Sequence, residues 1–134
     1  MSALPNVPVG PNEARVAVAN GPLVGAVLGR VVGMLAARAQ CPIDRLDDAL
    51  LVTDAVAAHA PARSRDGHVQ VVVDAHETGL ELRVMRLQPD GALAMMHDAD
   101  LPGVGNIFEQ IADDVHTETD EDGEQLVVRI GFAA

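Results

Sequence analysis

Aromatic residues are almost absent from this chain. Its 134 residues include no tryptophan and no tyrosine, and the two phenylalanines are Phe108 and Phe132. The hydrophobic core must therefore be built from valine, leucine, alanine, isoleucine and methionine, which pack well where helices meet a sheet. The lack of aromatic side chains also removes the surfaces on which single-stranded nucleic acid is usually stacked.

Basic residues are few as well. Nine arginines and no lysine stand against twenty aspartates and glutamates, which gives a formal net charge of −11. Such a surface repels phosphate backbones and anionic lipid headgroups. We therefore expect neither nucleic acid nor a membrane as a direct partner.

The chain has one cysteine and no long uninterrupted hydrophobic run. Cys41 alone cannot form an internal disulfide, which favours a reducing compartment. The longest apolar stretch, Leu23 to Ala37, is interrupted by glycines and by Arg30, and it is too short to predict a membrane span. Because no basic segment precedes it, a secretory signal is not predicted either, and we expect a cytoplasmic protein.

The length suits one domain with one continuous core. Residues 1–13 contain several prolines and no hydrophobic period, which predicts a flexible N-terminal arm. Residues 14–134 carry regular hydrophobic patterns, and we expect them to form a single domain.

Apolar residues recur at helical spacing in three segments. The first helix is predicted from Leu23 to Ala39, and the second from Asp44 to about His59, where Pro61 closes it. The third is predicted to begin at the Gly103-Val104-Gly105-Asn106 stretch. The first helix carries three glycines at every fourth position, which we expect to pack closely against another backbone: Gly25, Gly29 and Gly33.

Alternation of apolar and polar residues predicts five strands. They cover residues 14–19, 69–74, 80–85, 115–119 and 125–132. The order β-α-α-β-β-α-β-β predicts an α/β two-layer sandwich, with three helices on one face of a mostly antiparallel mixed sheet of about five strands. Residues 87–102 show no clean period and are expected to form a mobile loop. The sheet residues expected in the core are Val71, Val73, Leu82, Val84, Val128 and Ile130, packed against Leu46, Leu50, Val56 and Ile111.

Three segments in this order carry a resemblance to a known family. The first segment, PIDRLDDALLVTDAVAAHA, is similar to the second helix of the anti-sigma-factor serine kinases, a branch of the Bergerat-fold (GHKL) ATPases. The strand before that family's Asp-x-Gly-x-Gly box resembles LELRVMR. Its glycine-rich helix start, helix and closing hairpin resemble GVGNIFEQIADDVHTETDEDGEQLVVRI. The resemblance covers about residues 14 to 132 and implies a single ATPase-like domain of the histidine-kinase and anti-sigma-factor type.

The resemblance also implies where a nucleotide site would lie. In the family, an acidic residue of the second helix acts on the nucleophile, and an asparagine four residues later binds magnesium. One helical turn separates these two positions, so both face the nucleotide. In this chain Asp54 takes the acidic place and Ala58 stands where the asparagine is expected. A methyl group cannot ligate magnesium, which requires oxygen ligands.

The other two family boxes are altered as well. Arg86 takes the place of the aspartate that accepts a hydrogen bond from adenine, and an arginine side chain can only donate. The third box is partly kept, because Gly103, Gly105 and Asn106 precede a helix whose backbone N–H groups could face a phosphate. A plain turn from loop to helix is the alternative interpretation. Together the three boxes predict a degenerate nucleotide-binding site.

No other constellation suggests catalysis or metal binding. The five histidines are scattered and there is one cysteine, so no structural metal site is predicted. The acidic run from Asp120 to Glu124 lacks the ligand spacing of a calcium loop and predicts a solvated hairpin turn. No cofactor is expected unless the nucleotide site is active, in which case it would use ATP and magnesium.

Three functions remain open from the sequence. The first is a regulatory protein-binding domain that resembles an anti-sigma-factor kinase and has lost ATP-dependent phosphorylation. The second is an active but divergent ATP-dependent serine kinase, which Asp54 and Gly103–Gly105 favour and which Ala58 and Arg86 oppose. The third is a non-catalytic structural partner in a bacterial signalling assembly. The resemblance implies a protein partner such as a sigma factor or an antagonist protein, and a homodimer is also open.

Overall fold

The computed structural model of the chain describes residues 10–132, and most of its strands form one five-stranded sheet. Numbered along the chain, the strands are β1 Glu13–Ala19, β2 His68–His76, β3 Gly79–Leu87, β4 Asp100–Leu101, β5 Gly105–Asn106, β6 Asp114–Asp120 and β7 Gly123–Gly131. The order in the main sheet is β1-β2-β3-β7-β6, and every neighbouring pair is antiparallel. The short strands β4 and β5 pair with each other in a separate hairpin.

Four helices pack around this sheet within the described residues. They are α1 Val24–Arg38, α2 Ile43–Arg63, α3 Gly91–Asp98 and α4 Ile107–Ile111. Helix α1 lies over β1 and β2, and α2 runs beside it over β2, β3 and β7. The shorter helices α3 and α4 both contact α2. The predicted fold class, an α/β sandwich of helices on a five-stranded sheet, is confirmed.

One face of the sheet forms the hydrophobic core. Alternate residues of β2 point into it, so that Val69 and Val73 are buried while Gln70 and Asp74 between and beside them are only partly covered. The six sheet residues predicted for the core are all buried. Of the four helical residues predicted to pack on them, Val56 is buried. The other three are half-buried against the core: Leu46, Leu50 and Ile111.

The opposite face of the sheet carries charged side chains that pair across strands. The guanidinium of Arg83 donates to Glu118 at 2.7 Å, and that of Arg129 donates to Glu81 at 2.8 Å. Val127 lies opposite Arg83 on this face and is nevertheless fully buried. The aliphatic stems of long charged side chains shield such apolar surface from water while their heads stay solvated.

The helices and the sheet depart from the prediction in three respects. Residues 91–98, expected to be part of a loop, form α3. Their alanine, leucine and methionine residues favour a helix, but the segment spans too few turns to show a helical period in the sequence. Helix α2 continues through Pro61, whose missing N–H removes only one hydrogen bond near the helix end. The sheet is not mixed, since its described strands pair only in the antiparallel sense.

The glycines of α1 do not show the close packing that was expected for them. A Cβ atom placed on Gly25 would lie 3.5 Å from the Cβ of Ala57, which is an ordinary van der Waals distance, so Gly25 faces α2 without requiring a glycine there. A Cβ atom placed on Gly29 or on Gly33 would have no described atom of another element within 4 Å. The glycine spacing therefore marks a helix contact only at its first position.

The predicted N-terminal arm, residues 1–13, falls partly outside the described residues, which begin at residue 10. The described part is attached to the domain. The side-chain amide of Asn12 donates to the carbonyl oxygens of Leu35 at 2.8 Å and Ala75 at 3.0 Å, joining the end of α1 to the end of β2. None of the helices in the described part of the chain is both long and apolar enough to cross a membrane.

Candidate functional site

Asp54, which the resemblance implies as the acidic site residue, lies on the exposed side of α2. The buried side of this helix carries residues such as Val52, Thr53 and Val56, which direct it against the sheet. Asp54 and Ala58 are separated by one turn and are both exposed. The predicted alignment of the two residues is therefore present, but Ala58 offers no oxygen atom to a metal ion.

Arg86 has a structural use that the sequence did not reveal. It lies at a bulge near the end of β3 and has a left-handed backbone conformation with φ of 53°. Its guanidinium donates to Asp66 at 2.7 Å and lies 3.6 Å from the carboxylate of Asp122. The hydrogen bond from Arg86 lowers the pKa of Asp66. Arg86 thus ties the connection after α2 and the turn between β6 and β7 to the end of β3.

The glycine-rich stretch forms the β4–β5 hairpin rather than an open helix start. Gly103 and Gly105 have φ of 78° and 108°, a backbone region that other residues rarely adopt. A Cβ atom on Gly105 would collide with the side-chain amide of Gln110, which donates to the carbonyl of Val104 at 2.6 Å. The two glycines are therefore explained by a β-hairpin turn, whereas the alternative interpretation of the sequence was a plain turn from loop to helix.

Asn106 caps α4 and has no free hydrogen-bonding capacity for a ligand. Its side-chain oxygen accepts from the backbone N–H groups of Phe108 at 3.0 Å and Glu109 at 3.4 Å. Its amide nitrogen donates to the carbonyl of Met96 at 2.6 Å and to the carboxylate of Asp100 at 2.7 Å. Two of the N–H groups at the start of α4, those of Phe108 and Glu109, are thus already paired.

An open groove of about 650 Å³ lies beside this hairpin. It is lined by His97 and by residues 100–105, and its lining includes neither the α2 pair nor Arg86. The structure therefore does not bring the three altered boxes together around this groove. Two apolar side chains of the hairpin project into solvent, since Leu101 is 57% exposed and Val104 is 63% exposed.

The segment that precedes the groove is fixed by contacts that sequence reasoning missed. The carboxylate of Glu124, from β7, accepts hydrogen bonds from the backbone N–H groups of Asp90 and Ala92 at the start of α3. The guanidinium of Arg63, the last residue of α2, forms a two-point ion pair with Asp98, the last residue of α3, with both distances near 3 Å. The only sequence signal for α3 was its content of good helix formers after Asp90.

The described residues include no group of three or more histidine, cysteine, aspartate or glutamate side chains placed to hold a metal ion. No protein-family model matches the chain, and no curated protein matches its sequence significantly. The resemblance to anti-sigma-factor kinases thus rests on the three sequence segments and on the order of elements predicted from the sequence, to which the structure adds α3, β4 and β5.

Proposed function

We propose that the chain is a regulatory protein-binding domain that has the layout of an anti-sigma-factor kinase but no longer transfers phosphate. The proposal is supported by the use of the altered residues. Arg86 and Asn106 are engaged in contacts that hold the fold together, and Ala58 lacks a metal ligand. A site whose polar groups already serve the fold has little to offer a nucleotide.

The observation that carries the binding role is the apolar surface of the β4–β5 hairpin. Leu101 and Val104 lie on the same hairpin, are both exposed and line the open groove. Large exposed apolar side chains that cluster in one region mark interaction sites more often than scattered ones do. The chain also has a net charge of −11, which favours a basic partner by electrostatic steering. A sigma factor or an antagonist protein is the class of partner that the resemblance suggests.

One observation favours the kinase alternative. Asp54 is exposed on α2 in the place of the family's acidic residue and is accessible to a substrate. However, Ala58 offers no oxygen atom to a magnesium ion, and Asp54 does not line the groove. Catalysis by Asp54 would therefore require another source of metal coordination.

The test uses a variant in which both hairpin residues are charged, Leu101→Glu with Val104→Glu. The matched control is Ile43→Glu, because Ile43 is 80% exposed at the start of α2. Tagged wild-type chain and both variants are expressed in the native host, and co-purified proteins are identified and then titrated in purified form without nucleotide. We expect a sigma factor or antagonist protein to bind the wild type and the control, and to bind the hairpin variant at least roughly tenfold more weakly. Equal binding by all three proteins would contradict the hairpin surface, and recovery of neither partner class would contradict the regulatory role.

A further inference from the structure

The two edges of the sheet differ in how well they resist pairing. The edge strand β6 is acidic, with Asp114, Glu118 and Asp120 along seven residues. Charged side chains on an edge strand disfavour the addition of another strand. The other edge strand, β1, carries Glu13 and Arg15 and then only valine and alanine. Within residues 10–132, no strand covers the outer edge of β1.

The hydrogen bonds to β2 determine which residues of β1 face outward. At one end of the ladder Asn20 N donates to Gly67 O at 2.9 Å, and at the other end Ala75 N donates to Asn12 O at 3.1 Å. Residues 12 and 20 are therefore in hydrogen-bonded pairs with β2, and such pairs occur at every second residue of an antiparallel ladder. The residues whose N–H and C=O groups face the open edge are the odd-numbered ones, Glu13, Arg15, Ala17 and Ala19.

Helix α1 adds apolar surface beside this open edge. Gly25 faces α2, as its approach to Ala57 shows. Met34 lies nine residues later, about two and a half turns, and so points to the opposite side of the helix, away from α2. That side lies toward β1, because α1 covers β1 and β2 while α2 covers the strands further in. Met34 is 50% exposed, and Val31 on the same flank is half-buried.

We propose that the outer edge of β1 pairs with β1 of a second copy of this chain, antiparallel and about a two-fold axis at Val16. The two five-stranded sheets then form one continuous sheet, and the Met34 flanks of the two α1 helices approach each other above it. In this register each outward residue finds an outward residue of the second copy. Arg15 lies opposite Ala17 of the second copy, and Glu13 lies opposite Ala19 of the second copy.

The charges of β1 select this register. Moving the axis by one residue toward the N-terminus would place Arg15 directly opposite Arg15 of the second copy, and like charges directly opposite each other are destabilising. Moving it by one residue toward the C-terminus would leave Glu13 unpaired. The axis at Val16 pairs all four outward residues without opposing like charges, so the strand is complementary to itself. This interface does not depend on the proposed regulatory role.

The register makes a charge-reversal test possible with small changes at the exposed residues Ala17 and Ala19. Sedimentation equilibrium of the full chain should show a dimer. Ala17→Lys opposes Arg15 of the second copy and should weaken the dimer by about threefold or more, whereas Ala17→Glu should strengthen it. The effects of the two charges reverse at the next outward residue. Ala19→Glu places a carboxylate opposite Glu13 of the second copy and should weaken the dimer, whereas Ala19→Lys should strengthen it.

The control is Thr119→Lys, an exposed change on the β6 edge that should leave the dimer constant unaltered. Circular dichroism of each variant verifies that the fold is retained. A chain that stays monomeric at concentrations on the order of 1 mM would overturn the proposal. A dimer with equal stability for Ala17→Lys and Ala17→Glu would overturn it as well, because β1 would then lie outside the interface.

Discussion

Arg86 takes the place that the resemblance gives to an adenine-binding aspartate, and its neighbours explain why it is an arginine. The residue is held between Asp66 and Asp122, and its carbonyl accepts from the backbone N–H of Arg65 at 2.9 Å. These partners come from two turns that are distant in sequence. Sequence reasoning could identify Arg86 as a difference from the family that the chain resembles. It could not supply the partners of Arg86, because acidic residues in turns are common and only the fold selects these two.

We expect Arg86→Asp to destabilise the domain more than Arg86→Ala does. The aspartate would place a third carboxylate beside Asp66 and Asp122, whereas alanine only removes the attraction. Urea unfolding should rank the proteins as wild type, then alanine, then aspartate in decreasing stability. A difference between the two variants that persists in 1 M salt would argue against an electrostatic cause, since salt screens exposed charges.

His116 on β6 predicts a loss of stability as the pH rises. Its ring nitrogens lie 2.8 Å from the carboxylates of Glu118 and Asp114, and the hydrogen bonds to Glu118 and then Asp114 raise the pKa of His116. The raised pKa means that the folded state binds the proton more tightly than the unfolded state, whose ordinary value is 6.5. The stabilisation is therefore complete below that value and is lost as the pH passes through the folded-state pKa.

The variant His116→Gln should remove this dependence. Between about pH 6 and about pH 8, the midpoint of urea unfolding should fall less for the variant than for the wild type. Parallel decreases in the two proteins would show that other groups cause the pH dependence. Glu118 provides a second test at acidic pH, because the hydrogen bond from His116 lowers the pKa of Glu118. The stabilisation from ionised Glu118 is therefore lost only as the pH falls through that lowered pKa.

At the scale of elements, α3 and the β4–β5 hairpin form the part of the molecule that sequence reasoning described least well. Long periodic segments such as α1 and β2 were predicted to within two residues at each end. Helix α3 has only eight residues, and its position depends on Glu124 and on the Arg63–Asp98 ion pair. Isolated helices of this length are marginal, so tertiary contacts decide whether they form.

We expect the backbone of α3 to be protected from hydrogen exchange and Glu124→Ala to reduce that protection. The change removes the acceptor for the N–H groups of Asp90 and Ala92, and the loss of such a cap costs about 1 kcal/mol. Exchange in residues 91–98 should become faster while β2 and β3 remain unchanged. Fast exchange of this segment in the wild type would contradict a stable α3 and favour the mobile loop that the sequence predicted.

The interior of α3 offers a stronger test of the same packing. Met95 is fully buried in the core, and Met95→Ala should lower the free energy of unfolding by roughly 2–5 kcal/mol. The matched control is Leu93→Ala on the exposed side of the same helix, which should cost less than about 1 kcal/mol. Similar losses for both variants would contradict the orientation of α3.

At the scale of the whole molecule, the fold was predictable because local patterns and global architecture agree. Strand alternation at residues 69–74 and 80–85 and helical periods in α1 and α2 each point to one buried face. The candidate site was less predictable. Asp54, Ala58 and Arg86 could be placed by resemblance, but the pairing of Arg86 and the capping by Asn106 depend on residues brought together only by the fold.

We propose that this chain does not perform magnesium-dependent nucleotide chemistry, and calorimetric titration with ATP tests this proposal most directly. The full chain is titrated with ATP in the presence and absence of magnesium, with Ala58→Asn as a companion variant that places an amide oxygen at this position. We expect the wild type to bind ATP no more tightly than about the millimolar range, and we expect magnesium to have no effect. The reason is that the methyl side chain of Ala58 has no oxygen atom to hold a metal ion against a triphosphate. Micromolar ATP binding by the wild type that requires magnesium would contradict the account and favour an active kinase.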